Sequence, residues 1–143
     1  MSHWKSLVIL AAIFAAPAAR AAPTLRLGGD YILDGGPGLF SLTLGLDTPL
    51  ARSVTLGGRF GGLVTTSPGN AGVPLDVFLR FHSGRVYFEG EGGPWIFFNG
   101  DTVRGHVGFG FGLISRELEF GAEVGYLSSY SRATIGVRLG FHI

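Results

Sequence analysis

The chain has 143 residues, the size of a single domain, and it is 46% hydrophobic but only 15% charged, with a formal net charge of +1. That apolar content excludes an intrinsically disordered chain, and the absence of cysteine excludes a disulfide framework and any cysteine-based metal site. The 25 glycines follow no collagen triplet but recur inside periodic segments, which indicates a folded domain.

Residues 1–21 are predicted to be a cleaved signal peptide. Lys5 supplies the positive start, residues 7–16 are an apolar run, and Ala19-Arg20-Ala21 matches a small-x-small cleavage site. Ten apolar residues are too few to span a bilayer as a helix. The mature chain, 22–143, would lose two of the eleven basic residues and keep nine arginines against ten acidic residues, a net charge of −1. Such a balance argues against a nucleic-acid partner.

The mature chain alternates between apolar and polar residues, and a period of two is typical of β-strands. In residues 103–114, for example, Phe109 and Phe111 lie on one face, whereas Arg104 and His106 lie on the other. Eight such stretches are predicted, at 24–33, 38–47, 53–65, 75–82, 85–98, 101–114, 118–128 and 131–143.

Hairpin pairing tests this pattern, because opposed residues of an antiparallel pair must share a face. Asn99-Gly100 is a preferred type I′ turn, and it sets Ile96 opposite Val103 on the apolar face. The same counting predicts turns at 83–84, 115–116 and 129–130, loops at 34–37 and 66–74, and the pairs Tyr31 with Phe40, Phe81 with Val86, Leu113 with Leu118, and Gly121 with Arg138. The chain is therefore predicted to be a meander of hairpins.

Two closed barrels fit such a meander. A soluble binding barrel turns its apolar face inward, whereas an outer-membrane barrel turns it toward lipid. The many glycines on the polar face favour the second, since glycine at a solvent-facing strand position costs on the order of 1 kcal/mol relative to alanine. The interior of an eight-stranded barrel has barely enough room for side chains and benefits from glycine. The absence of lysine from the mature chain agrees, because arginine suits buried, bidentate ion pairs.

The polar face is predicted to fill the barrel interior as a charge network. Because an unpaired buried charge costs several kcal/mol, we interpret the network as a compensated plug in preference to a conduction pathway or an acid/base site. Register places Arg138 diagonal to Glu119 and Glu123, and Arg80 diagonal to Glu89. The network comprises Arg26, Asp30, Arg59, Asp76, Arg80, Glu89, Glu91, Arg104, His106, Glu119, Glu123 and Arg138. The lipid-facing set comprises Phe40, Leu42, Leu44, Phe60, Leu79, Phe81, Phe88, Phe109, Phe111, Phe120, Val137, Leu139 and Phe141.

The signal peptide, eight amphipathic strands, short turns and charged interior together resemble the small outer-membrane barrels of the OmpA/OmpX type. The last strand, 133–143, is similar to the C-terminal segment that the barrel-assembly machinery recognises in that class, but it ends in Ile143 where an aromatic residue is usual. The resemblance implies an all-β, eight-stranded antiparallel up-and-down transmembrane β-barrel. It also implies a monomer in the outer membrane of a Gram-negative bacterium, with outer-membrane lipid and the assembly machinery as partners.

An even strand count returns both termini to one side, expected to be periplasmic, and places the loop 66–74 outside the cell. The hairpin 93–103 is expected to stand at or above the outer interface. Aromatic residues near strand ends suit the interfacial girdles of such a barrel. Those predicted for the girdles are Tyr31, Phe40, Phe81, Trp95 and Tyr126.

No residue pattern in the chain names a catalytic task. A lipid-modifying enzyme of this class would need a histidine and a serine together on the outward face, whereas His82, His106 and His142 all share the inward face. His82 and His142 lack an identifiable third metal ligand. We therefore expect a structural or surface-interaction role without catalysis, cofactor or metal. The alternatives left open are a lipid-modifying enzyme, a narrow pore, and a secreted soluble lipocalin-like binding barrel.

Overall fold

The computed structural model describes residues 22–66, 69–100, 102–128 and 132–143. The predicted signal peptide at 1–21 and the predicted turn at 129–130 lie outside the described residues. The strands are β1 (Ala22–Ile32), β2 (Gly38–Ala51), β3 (Val54–Thr66), β4 (Gly69–Ser83), β5 (Val86–Phe97), β6 (Val103–Ile114), β7 (Leu118–Leu127) and β8 (Arg132–His142). No helix with the length and hydropathy that a membrane crossing requires occurs in these ranges.

Each strand pairs antiparallel with its sequence neighbours, and β1 pairs with β8 to close the sheet. The closing register runs from Thr24 opposite His142 to Ile32 opposite Thr134. The prediction of an all-β, eight-stranded antiparallel up-and-down barrel is confirmed. We call the end with the first residue of β1, the last of β8 and the connections after β2, β4 and β6 the terminal end. The other end, with the connections after β1, β3, β5 and β7, is the loop end.

The hairpin between β5 and β6 has the predicted register, with Ile96 opposite Val103 across the turn that contains Gly100. The pairing of Gly121 with Arg138 is also confirmed. Because Gly100 has a φ of 78°, it adopts the left-handed backbone that such a turn requires.

Three other predicted registers are wrong by two residues. Tyr31 pairs with Gly38 instead of Phe40, Phe81 with Phe88 instead of Val86, and Leu113 with Phe120 instead of Leu118. After β4 the turn is formed by residues 84–85, and Gly84 has a φ of 60°. Glycine therefore occupies the left-handed position of the turn, which the predicted turn at 83–84 would have shared with Ser83. A shift of two preserves every side chain's face, and the inside-outside pattern is unaffected.

The predicted long loop at 66–74 is wrong as well. β4 begins at Gly69, and the ladder between β3 and β4 continues through the pairs Thr66 with Gly69 and Leu63 with Gly72. Glycine, asparagine and proline gave this segment the composition of a loop, but hydrogen bonding to β3 on one side and β5 on the other keeps it extended. The four connections at the loop end therefore span only two to five residues.

Apolar and charged side chains are separated by the barrel wall. Of the thirteen residues in the predicted lipid-facing set, twelve are exposed on the outer surface, and Leu44 is partly buried. Every residue of the predicted charge network is buried in the interior. The fold thus turns a large apolar surface outward and its ionisable groups inward.

Close strand approach makes one glycine of β5 irreplaceable and leaves another free to vary. A Cβ on Gly93 would collide with the carbonyl of Leu75 and approach the Cα of Asp76 to 3.0 Å, whereas a Cβ on Gly90 would meet nothing within 4 Å. Backbone atoms cannot rotate away from such a collision as a side chain can. Gly93 is thus required for the packing of β5 on β4.

We expect Gly93→Ala to lower the free energy of unfolding by about 1–3 kcal/mol, because the barrel wall must shift to admit the methyl group. Gly90→Ala on the same strand is the matched control and should be neutral or stabilising by up to about 1 kcal/mol. Urea unfolding of the refolded protein, followed by Trp95 fluorescence, measures both. Equal stability of the two variants would contradict the close approach.

Candidate functional site: the barrel interior

All twelve residues of the predicted charge network lie inside the barrel, each less than a tenth exposed. They reach the interior because they occupy the inward parity of seven of the eight strands. Their side chains form two groups along the barrel axis. One group near the terminal end consists of arginines and glutamates, and the other surrounds His106.

The Arg–Glu cluster consists of Arg26, Arg59 and Arg80 around Glu89 and Glu119. Glu89 accepts hydrogen bonds from all three arginines, at 3.0, 2.8 and 2.8 Å. Glu119 accepts from Arg80 Nη1 at 2.7 Å and also from Arg26. These contacts join β1, β3, β4, β5 and β7 across the interior, so that strands far apart in the sheet are cross-linked.

Two aromatic side chains complete this cluster. The guanidinium of Arg59 lies 4.5 Å from the ring centre of Phe78, and that of Arg80 lies 4.5 Å from the ring centre of Tyr87. Such stacking stabilises arginine in a site from which water is excluded. The sequence analysis did not single out these aromatics, although Phe78 shares the inward parity of Arg80, and Tyr87 that of Glu89.

The His106 group lies toward the middle of the barrel. His106 Nδ1 is 3.0 Å from Asp76 Oδ1, and its Nε2 is 3.7 Å from Glu123 Oε1. Arg138 Nη2 bridges Glu123 at 2.7 Å and Asp30 at 2.9 Å. The predicted proximity of Arg138 to Glu123 and of Arg80 to Glu89 is therefore present, but Glu119 pairs with the arginines of the other group and not with Arg138.

Three members of this region have the composition of a metal-binding set. Ligand atoms of Asp76, Glu91 and His106 all lie within 4.8 Å of one another. Gly108 makes this convergence possible, since a Cβ there would lie 3.2 Å from the imidazole and 3.3 Å from the Glu91 side chain. One histidine and two carboxylates can coordinate a divalent transition metal. This set was not predicted, because alternation along the chain does not define which strands bring inward residues to the same level of the barrel.

Existing contacts and charge favour an ion pair over a metal at this set. Asp76 accepts the indole N–H of Trp95 at 2.9 Å, and Glu91 is paired with Arg59. The buried interior holds six carboxylates and five arginines, so that its formal charge is −1 with neutral histidine. A divalent cation would leave the interior with net positive charge, and a buried excess charge is costly.

The loop end of the interior is apolar, which the sequence analysis did not anticipate. Trp95 and Phe97 are only 6% and 0% exposed, so the placing of Trp95 in an outward-facing aromatic girdle is wrong, whereas the position of residues 93–103 at or above the outer interface stays a prediction. The Trp95 ring stacks on His106 at 4.1 Å, and the Arg104 guanidinium lies 4.2 Å from the Phe97 ring. The cluster of buried hydrophobic residues at this end, which we call the apolar plug, consists of Leu39, Leu63, Trp95, Phe97 and Leu127.

Little open space remains among these side chains. The cavity within the Arg–Glu cluster has a volume of about 10 Å³, with Phe78 and Asp47 among its lining residues. That volume is about the minimum for one water molecule. The interior around this cluster is thus packed, and it does not offer a binding pocket for an organic ligand.

One hydroxyl–imidazole–carboxylate arrangement occurs at the terminal end. Thr24 Oγ1 lies 3.0 Å from His142 Nδ1, and His142 Nε2 lies 4.0 Å from Glu119. The carboxylate is held by Arg26 and Arg80, which directs its oxygens away from the imidazole, and Thr24 itself is buried in the wall. A nucleophile needs an oriented base and access to substrate, so this arrangement does not constitute a catalytic site.

We expect Glu89→Gln to lower the free energy of unfolding by about 3–5 kcal/mol, because it leaves three buried arginines short of a shared counter-charge. Glu117→Gln, an exposed glutamate at the same end of the barrel, is the control and should change it by less than about 0.5 kcal/mol. Denaturant titrations of both variants in the same lipid or detergent provide the comparison. A small effect of Glu89→Gln would show that the network is not the main cross-link of the interior.

The fold is similar to those of solved transmembrane barrels. A de novo designed transmembrane β-barrel matches with a TM-score of 0.65 at 12% identity, over 85% of this chain and 95% of the design. The N-terminal β-barrel domain of OprF from Pseudomonas aeruginosa matches with a TM-score of 0.60 at 14% identity, over 85% of this chain and 97% of that domain. A second design, TMB2.3, matches with a TM-score of 0.54 at 14% identity, over 86% and 94% of the two chains.

No protein-family model and no curated protein matches the sequence. At identities this low, the structural likeness concerns the fold alone. The chain therefore has the architecture of a small eight-stranded transmembrane β-barrel, as its resemblance to the OmpA/OmpX type implies.

Proposed function

We propose that residues 22–143 form an integral outer-membrane β-barrel whose outer wall contacts lipid and whose interior is a permanent, ion-paired plug. The observation that carries this proposal is the inverted distribution of side chains. Thirty-one large hydrophobic residues are exposed on the described surface, while twelve charged or ionisable side chains of the predicted network are buried. Soluble monomers rarely expose contiguous apolar patches larger than a few hundred Å². A bilayer is the solvent that such a wall fits.

The strand lengths support this environment. A tilted transmembrane strand needs about 9–11 residues to cross the hydrocarbon region. The eight strands have 10 to 15 residues each. Closure of β1 on β8 pairs the backbone of both edge strands, as a hydrocarbon environment requires.

The same distribution argues against the alternatives. A soluble lipocalin-like barrel would need an apolar cavity, whereas this interior holds ion pairs and a space of about 10 Å³ near the terminal end. A narrow pore would need a continuous polar path, but the apolar plug lies across the loop end. An outward-facing lipid-modifying site would need a histidine on the outer wall, and His106, the histidine at the centre of the barrel, is 3% exposed.

A structural role is favoured over recognition of an extracellular partner. The connections at the loop end are two to five residues long, and the connection after β5 is tied to the start of β4 by hydrogen bonds between Asn99 and Asn70. Such short, cross-linked connections offer little surface to a partner. We propose that the monomeric barrel acts through its wall, with outer-membrane lipid as its main partner. Residues 133–143 would serve assembly by presenting alternate apolar side chains, from Ile135 to Ile143.

Fractionation and heat-modifiability test this proposal. The full-length gene is expressed in a Gram-negative host, outer membranes are isolated, and the protein is run on SDS gels with and without boiling. A band in the outer-membrane fraction that shifts on boiling supports the proposal, and planar bilayers should then show no stable conductance. Recovery of the protein in the soluble periplasm, with the same gel mobility before and after boiling, would overturn the proposal. A stable conductance would show that the interior is a pore and not a plug.

We expect Phe109→Arg to lower the free energy of unfolding in lipid vesicles by about 2–4 kcal/mol, because Phe109 lies mid-strand on the outer wall. Val103→Arg is the matched control, since Val103 begins the same strand at the loop end, where the cost should fall to about 0–1 kcal/mol. Chemical unfolding in vesicles measures both values. A harmless Phe109→Arg that makes the protein soluble without detergent would contradict a lipid-facing wall.

A further inference from the structure

The arginines outside the interior are distributed unevenly between the two ends. Of the nine arginines in the mature chain, five are buried, and three lie on the connections after β2, β4 and β6 at the terminal end. These three are Arg52, Arg85 and Arg116, which we call the arginine rim. All three are exposed, and no side-chain ion pair or hydrogen bond to another described residue engages them. Each turn of the terminal end thus carries one available guanidinium.

Two members of the rim share a surface cleft. Arg85 and Arg116 line it together with Ile114 and Leu118, between the connections after β4 and β6. Its volume of about 730 Å³ is within the range of small-molecule sites. Glu117 also lines the cleft, which leaves it a net charge of +1. A cleft that combines arginines with apolar side chains suits an amphiphile with an anionic head.

The rim lies directly against the apolar wall. Arg85 is adjacent in sequence to Val86, and Arg116 is two residues from Leu118; both apolar side chains are exposed on the outer surface. Arg52 is likewise two residues from Leu50, which is 59% exposed. In a bilayer that covers the wall, guanidinium groups at this distance reach the level of the lipid headgroups.

The loop end lacks such a feature. Among the described residues of that end, Asn70 at the start of β4 donates its Nδ2 to the backbone carbonyl of Asn99, in the connection after β5, at 2.8 Å. Asp34 is exposed there, and the arginine of that end, Arg132, is partly buried. Positive charge available to a lipid surface is therefore concentrated at the terminal end.

We propose that the cleft between Arg85 and Arg116 binds the phosphate headgroup of an anionic phospholipid, with Arg52 extending the same recognition to the next turn. The inference rests on the proposed function, since it places the terminal end at a bilayer surface. Arginine forms paired, charge-assisted hydrogen bonds with phosphate oxygens. In a zwitterionic headgroup, the positive group neutralises part of the phosphate charge. The exposed Leu118 side chain and the partly buried Ile114 would contact the glycerol and upper acyl chain.

Electron paramagnetic resonance with spin-labelled lipids tests this recognition. The refolded barrel is placed in phosphatidylcholine vesicles that contain spin-labelled phosphatidylglycerol or spin-labelled phosphatidylcholine, and the relative association constant is measured. The variants are Arg85→Gln with Arg116→Gln, the control Arg132→Gln at the loop end, and Glu117→Gln. Glycerol phosphate added at millimolar concentration distinguishes a lipid headgroup from a free phosphate ester.

We expect the wild type to select phosphatidylglycerol, and each arginine removed from the cleft to lower that selectivity by up to about fivefold. Arg132→Gln should leave it unchanged, and Glu117→Gln should raise it. Equal selectivity in the wild type and the double variant, or displacement of the lipid by glycerol phosphate, would overturn the proposal. Heat-modifiability of every sample separates this failure from that of the proposed function: a barrel that shifts on boiling but does not select anionic lipid refutes only the headgroup site.

Discussion

The structure depends on the narrow bore of an eight-stranded barrel, which must be filled by the side chains that its own strands supply. Because these are largely arginines and carboxylates, each charge needs a partner from another strand before it can be buried. Glu89 shows the result, since it is contacted by arginines from β1, β3 and β4. Pairs that span the bore, such as Arg26 of β1 with Glu89 of β5, therefore need the closed barrel.

That constraint also explains the position of glycines in the wall. Gly93 pairs with His106, and its missing side chain leaves room for the backbone of Leu75 and Asp76, the residue whose side chain reaches His106 at 3.0 Å. Gly108 does the same where Glu91, His106 and Glu123 converge. The glycines thus set which charges touch, whereas hydrogen bonding between strands holds the wall itself together. Two kinds of contact within the chain stabilise this fold: the hydrogen bonds between strands and the ion pairs of the interior. The apolar outer surface makes its contacts with the surrounding medium.

Alternation alone was sufficient to predict the eight strands and their order, and it assigned the twelve network residues to one face, since parity survives a register shift of two. It was not sufficient for registers such as that of Phe81, which depends on whether Ser83 or Gly84 opens the turn. The pairing of Glu119 with Arg26 and Arg80 depends on distances across the interior, which no single hairpin defines. Trp95 was misplaced because an aromatic residue near a strand end was assumed to face outward, whereas its parity is that of Glu91.

Buried interior side chains and short connections limit the surfaces through which this protein can bind a partner. The apolar plug lies at the loop end of the bore and the Arg–Glu cluster nearer the terminal end, and both Asp76 and Glu89 are buried. What remains accessible is the apolar wall and the arginine rim, and both are surfaces suited to lipid. The buried arginines are committed to carboxylates, whereas Arg85 and Arg116 remain available at the edge of the wall. If the proposed headgroup site is correct, arginine serves two purposes in this protein: it pairs with carboxylates inside the barrel, and it binds lipid phosphate at the rim.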